Sequence, residues 1–516
     1  MTKKIGFYHC ITFLLLLWFT NLFALSHSIG LICSNFFVCG LVFIYLNPTK
    51  ISYRYQIVLV LYLILTTVLL RYFISPYWGG WLFLLLIVLS VIPYIKQVSI
   101  LTSGFFILCG AGFFNLSFIS QTQITDVQYD FASCYNYIEY IMENNLLFWN
   151  ENPIITRPSY STYHPILHFF MAALAIRSGE LIGFSKSISN EATQVIFCFY
   201  MFWYGLICIR ILNFFNFSRI TFCSLIAFIV FFPIYQAISG YFNNDCLLLP
   251  LQAGTLYYAL CYYHDDGRKN LFLIWLFATL AALTKLSGII VLPAVVFFLA
   301  IKLYKKRNKY ILRDLIIFAV FLLLGLSIWP CYQHFVFHLP PNFVPPQTNL
   351  SLENYTIWQR FSPWKGFFYD DLFYHDFGIN IWETLTKTAL FGQWDIAQRA
   401  TIILPLVRFF VSLFKIILFT ILIAVFYLIY KQKKSVMTWF CLILLSSLIG
   451  GIVSLSLMHP YMCNQDFRYI AILPLAWSLI LGLFMEKMPV KIRWGIAGIL
   501  NCFAFLAVFI WHWVSF

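Results

Sequence analysis

The chain has 516 residues, 62% of them hydrophobic and only 10% charged, with a formal net charge of +14. An ordinary soluble domain carries about a quarter charged residues, so the composition excludes one and specifies an all-α polytopic membrane protein embedded in a lipid bilayer. The basic residues fall in short clusters between apolar runs, as the positive-inside rule requires, and the charge therefore implies no nucleic-acid partner.

In chain order, an apolar run from Ile5 to about Ala24 follows Lys3 and Lys4 without a small-residue cleavage site and reads as a retained span. Spans are expected at 5 to 27, 30 to 47, 55 to 72, 80 to 95 and 98 to 119. Lys50, Arg54 and Lys96 lie on the side of the N-terminus, which makes that side cytoplasmic and sends Ser120 to Tyr163 to the outer face. Next comes RPSYSTYHPILHFFMAALAIRSG, residues 157 to 179, whose apolar stretches are shorter than the roughly 20 residues a spanning helix needs. If it crossed, every later basic cluster would move outside, so residues 162 to 178 are expected to form an interfacial or re-entrant helix. Further spans follow at 192 to 212, 219 to 239, 245 to 263, 270 to 284, 288 to 304, 312 to 330, 404 to 430, 436 to 457, 468 to 485 and 493 to 514. The expected total is about 15, with the C-terminus outside. This divides the chain into extra N-terminal spans (1 to 97), a catalytic membrane module (98 to 330) with a first outer loop (120 to 190), a large outer loop (331 to 401) and C-terminal spans (402 to 516). Fourteen cysteines show no C-x-x-C pair, and Cys331 with Cys463, on loops of one face, are placed to pair.

Polar residues collect on the outer face. Asp126 and Asp130 lie in TDVQYD at the start of the first outer loop. A carboxylate at the membrane boundary serves as a general base, as a helix N-cap or as a solvated loop residue. Asn244 and Asp245 lie in NND at the start of a span, where an acid caps the helix or binds a metal or an acceptor amine. Lys285 in LTKLSG either snorkels or holds an anionic lipid phosphate. Arg468 in DFRYIAILP pairs with Asp466 or anchors at the interface. His164 and His168, four apart, have the spacing of a metal pair but lack the Glu of H-E-x-x-H. No phosphate-binding glycine loop or serine-nucleophile motif is present, so an enzyme of this kind takes its energy from an activated lipid.

Taken in order, HPIL (His164 to Leu167), NND (Asn243 to Asp245), TKLSG (Thr284 to Gly288) and RYIAILP (Arg468 to Pro474), preceded by Asp126, resemble the motifs of the GT-C glycosyltransferases that use polyprenyl-phosphate sugars, over roughly residues 120 to 480. The resemblance implies a GT-C-like fold and a hexosyltransferase-class reaction from an undecaprenyl- or dolichyl-phosphate sugar to a glycan, lipid or protein acceptor. It implies a bacterial inner membrane or the endoplasmic reticulum. It makes Asp126 the catalytic base and Asp245 the second acid, for acceptor or metal. Lys285 and Arg468 resemble the residues near the donor phosphate, and the resemblance requires no cofactor, a divalent metal at Asp245 being one alternative to an acceptor there. Val127 stands where the family has Glu and Ile166 where it has a second Pro, and four spans precede the family's first. An O-antigen ligase or polymerase would instead use Arg360, His375 and Arg399, and a lipid flippase would place polar residues inside several spans.

Overall fold

The computed structural model describes residues 99–514 except 120–123, 125–130, 145–162, 241, 266, 342, 344–349, 369–377 and 393–402. The first four expected spans, Asp126, Asp130, His375 and Arg399 lie outside the described residues. Within them every regular element is helical, with one isolated antiparallel bridge between Ser351 and Tyr461.

Helix α1 (Ile100–Ile119) is followed by α2 (Phe131–Glu143) and α3 (Leu167–Leu181). The 15 residues of α3 rise about 22 Å, short of the roughly 30 Å hydrocarbon core. The helix packs against α2 and against α4 (Lys186–Phe214), which the Ser185 side chain caps. Next, α5 (Arg219–Val230) and α6 (Pro233–Ser239) form one apolar run bent by 46°. The bend sits before Pro233, whose ring forces Phe232 out of the helical region and removes a donor. Helices α7 (Asp245–His264) and α8 (Arg268–Thr284) pack against each other, and α7 also packs against α4. A 3-10 turn (Leu286–Val291) leads into α9 (Leu292–Lys306), then α10 (Lys309–Phe335). The late loop holds α11 (Ile357–Phe361), α12 (Pro363–Phe368) and α13 (Ile381–Phe391). Last come α14 (Leu404–Lys431), α15 (Val436–Met458), 3-10 turns Met462–Gln465 and Phe467–Ile470, α16 (Leu473–Met485) and α17 (Val490–Val514).

Six of the described helices are long and apolar enough to cross a membrane, α4, α9 with its 3-10 turn, α10, α14, α15 and α17, and the number is eight if each bent pair is one span. The expected total is not reached among the described residues. Helix α8 has 17 residues, and α7 carries Asp245, Gln252, Thr255 and four tyrosines and histidine in its 20. Surrounded by α4, α8 and α9, α7 buries nearly all of its length and needs no lipid-compatible surface. By contrast α10 turns Ile316, Ile317, Val320, Phe321, Leu323 and Leu324 outward, an apolar face suited to lipid.

The basic clusters share one end of the bundle. There the Ser218 backbone and hydroxyl donate to Glu486 at 2.8 and 2.7 Å, Arg493 pairs with Glu486 at 3.4 Å, and Arg268 pairs with Asp314 at 2.8 Å. The first contacts join the starts of α5 and α17 to the end of α16, and the last joins the starts of α8 and α10. The starts of α7 and α16 and the ends of α8 and α15 therefore meet at the opposite end. A cysteine placed at exposed Ser187, just beyond α3, is expected to react with an impermeant maleimide from the side opposite to one placed at exposed Lys433. Labelling of both from the same side would mean that an even number of segments crosses between them and would overturn this orientation. Cys331 and Cys463 do not form the disulfide expected between them.

Candidate active site

Two short stretches converge because α7 and α8 run antiparallel. At the start of α7 the Asn243 side chain accepts from the Asp245 backbone N–H at 2.9 Å, and the Asn244 amide donates to the Thr284 carbonyl at 3.2 Å. The first bond satisfies an N–H of the first turn, so the Asp245 carboxylate is released from the capping role expected of it. The second pins the end of α8 beside it. The chain leaves α8 extended at Lys285 (φ −160°, ψ 142°) and folds back over the helix, where a Cβ on Gly288 would stand 2.6 Å from the Ala281 carbonyl oxygen. A glycine is needed at that close approach.

Lys285 consequently points inward. Its Nζ donates to Asp245 Oδ1 at 2.6 Å, with the two side chains 7% and 1% exposed, and lies 4.4 Å from the centre of the Tyr469 ring. Snorkelling is thus replaced by a buried ion pair with a cation–π contact. The other carboxylate oxygen, Asp245 Oδ2, is buried with no hydrogen-bond partner among the described residues.

Arg468 arrives from the 3-10 turn before α16. Asp466 caps that turn, accepting from the Arg468 backbone N–H and from Nε, both at 2.9 Å. The local charge pair expected for Arg468 is therefore present. The run 468 to 485 does not form one straight helix: the turn and α16 meet at 52°, and this bend presents Arg468 and Tyr469 to α7 and α8.

His164 completes the cluster. Burial, followed by the charges of Lys285 and Arg468, holds its imidazole well below the ordinary histidine range. The backbone around it is held by neighbours, with Tyr137 donating to the His164 carbonyl at 3.3 Å and Gln333 to that of Tyr163 at 3.4 Å. The expected His164–His168 pairing on one helix face does not form, because α3 begins only at Leu167. His168 is buried instead with Nδ1 3.8 Å from Cys246 Sγ, and burial pushes its imidazole down to about 3.

Both histidines are held neutral below their unfolded value, so the unfolded chain binds more protons and stability falls as pH drops through about 6.5. Replacing both, His164→Gln with His168→Phe, is expected to flatten the slope of melting temperature between pH 5 and 7. An unchanged slope would exclude these two groups as its source.

Among the described residues no group of three His, Cys, Asp or Glu side chains is placed to hold a metal ion. Asp245 Oδ2 would be a single ligand, so the described donors do not fit a divalent cation. One neighbour was missed from sequence. Tyr469 is one of 32 tyrosines and carries no distinguishing spacing. Arg360, weighed only for a ligase, is buried and donates through Nη2 to the Ser456 carbonyl and, at 3.4 Å, to its hydroxyl, stapling the late loop to α15.

No protein-family model and no curated protein matches the chain. Among solved structures, the chain is similar to ArnT from Cupriavidus metallidurans bound to undecaprenyl phosphate, at 13% identity and a TM-score of 0.43, over 76% of this chain and 61% of that one.

Proposed function

We propose that the chain is a multi-pass membrane glycosyltransferase that moves a sugar from a polyprenyl-phosphate donor to an acceptor on the face opposite the basic clusters. The observation that carries this reading is the convergence of Lys285 and Arg468, each held on a buried carboxylate, around Tyr469 and beside the open oxygen of Asp245. Two fixed cations suit a leaving phosphate, and an open acid beside them suits an acceptor hydroxyl or amine. In the proposed reaction the acceptor attacks the sugar's anomeric carbon while its proton passes to Asp126. The bond from that carbon to the phosphate oxygen breaks, and the electron pair leaves with the polyprenyl phosphate, whose charge Lys285 and Arg468 offset. Asn244 sets the position of Lys285, and His164 lines the same space as a neutral group. The ligase reading draws no support from Arg360, which is spent on Ser456.

Titration with undecaprenyl phosphate and with undecaprenol, read by native mass spectrometry, tests the phosphate site. The phosphate is expected to bind at least tenfold tighter than the alcohol, and Arg468→Met is expected to erase most of that difference, since a charge-assisted contact contributes about 1.5–3 kcal/mol. Equal affinity for the two lipids would refute the reading.

A further inference from the structure

Away from the cluster, the late loop leaves aromatic side chains without protein cover. Ile357 and Trp358 on α11 are each 68% exposed and Trp364 on α12 is 63% exposed, with Lys365 exposed beside it. Their exposure is built in, because the same segment is held firmly from behind. A Thr356–Gln359 capping box starts α11. The Asn380 amide donates to the Gln359 and Ser362 carbonyls at 3.2 and 2.9 Å, and the Trp382 indole donates to the Phe361 carbonyl at 2.9 Å. The bond from Arg360 to Ser456 sets the height of the segment along the bundle. Ser456 lies in the last turn of α15, a helix long and apolar enough to span, and the two residues after it, Leu457 and Met458, are themselves exposed. The apolar outer face of α15 is thus continued by the aromatics of α11 and α12 at the level where a span reaches the head groups. Indole rings favour that boundary, being apolar with one N–H donor, and a neighbouring lysine suits lipid phosphates.

We infer that α11 and α12 form an interfacial anchor whose partner is the phospholipid surface, with Trp358 and Trp364 seated at the boundary between head groups and acyl chains. The anchor rests on the membrane spans alone and not on the proposed reaction. It also ties lipid to the cluster, because Ser456 Oγ accepts from the Gln465 amide at 3.5 Å, next to the Asp466 that grips Arg468.

The test uses the full-length chain in phosphatidylethanolamine–phosphatidylglycerol nanodiscs, with a photoreactive benzoylphenylalanine replacing Trp358, Trp364 or the exposed Glu353 in turn. Irradiation followed by mass spectrometry is expected to give phospholipid adducts from positions 358 and 364, well above the yield at 353. Equal lipid yield at all three positions, no adducts, or adducts to a second copy or to another stretch of the chain would each overturn the anchor.

Discussion

Lys285→Met is expected to lower the melting temperature sharply and to weaken undecaprenyl phosphate binding, and the two losses separate in a second variant. The ammonium and the Asp245 carboxylate are both almost fully buried. Removing one partner of such a pair strands the other in a medium that cannot solvate it, at a cost of about 3–5 kcal/mol. Asp245→Asn on top of Lys285→Met removes the stranded charge, and an amide and a thioether of similar volume replace the pair. Stability is expected to return in large part, since a buried ion pair and its uncharged counterpart often differ little. Phosphate binding is not expected to return, because the cation is still missing. A double variant that regains affinity along with stability would show that Lys285 acts only as scaffold. A single variant with an unaltered melting temperature would show that the pair is not buried as described.

Asp126→Asn carries the other large expected effect. The substitution keeps the side chain's shape and any capping hydrogen bond but removes the proton acceptor, so transfer should fall by about two to four orders of magnitude. Undecaprenyl phosphate affinity should hold, because the lost group acts on the acceptor while Lys285 and Arg468 act on the leaving phosphate. The companion measurement is Asp245→Asn, since Asp245 Oδ2 is the open carboxylate oxygen of the cluster. If Asp126→Asn turns over within a few-fold of the unsubstituted chain while Asp245→Asn is inactive, the base is Asp245 and the role given to Asp126 is withdrawn.

The helices were legible because hydropathy is additive along a helix: each expected run within the described residues has a helix at its place, and six to eight of them are long and apolar enough to cross. The breaks inside two of those runs were harder to see. Pro233 marks the first in plain view, yet the 52° turn before α16 depends on Asp466 capping a 3-10 turn, a local bond that apolar periodicity does not register. At the cluster, NND, TKLSG and RYIAILP named residues that the fold brings together, but not the pairing of Lys285 with Asp245. Whether a cation near a span end snorkels or turns inward is decided by what stands opposite, and Asp245 is 40 residues away from Lys285 in the chain. Tyr469 was illegible, and Arg360 was given a different role, for the same reason, since each matters through a partner on another element.

The pairing of each cation with its own acid bears on turnover. Lys285, Asp245, Arg468 and Asp466 together carry no net charge when all are ionised. In the proposed reaction a lipid-linked sugar phosphodiester enters with a single negative charge. The phosphomonoester left behind gains close to one more near neutral pH, the second ionisation of such a group lying near about 6. Four charges that already cancel provide local contacts for the first anion but no surplus positive field to retain the second. As the carrier's charge grows, its stronger attraction to Lys285 and Arg468 is offset by its stronger repulsion from Asp245 and Asp466. The arrangement favours a carrier that departs after each transfer, at the expense of the tightest possible grip on it.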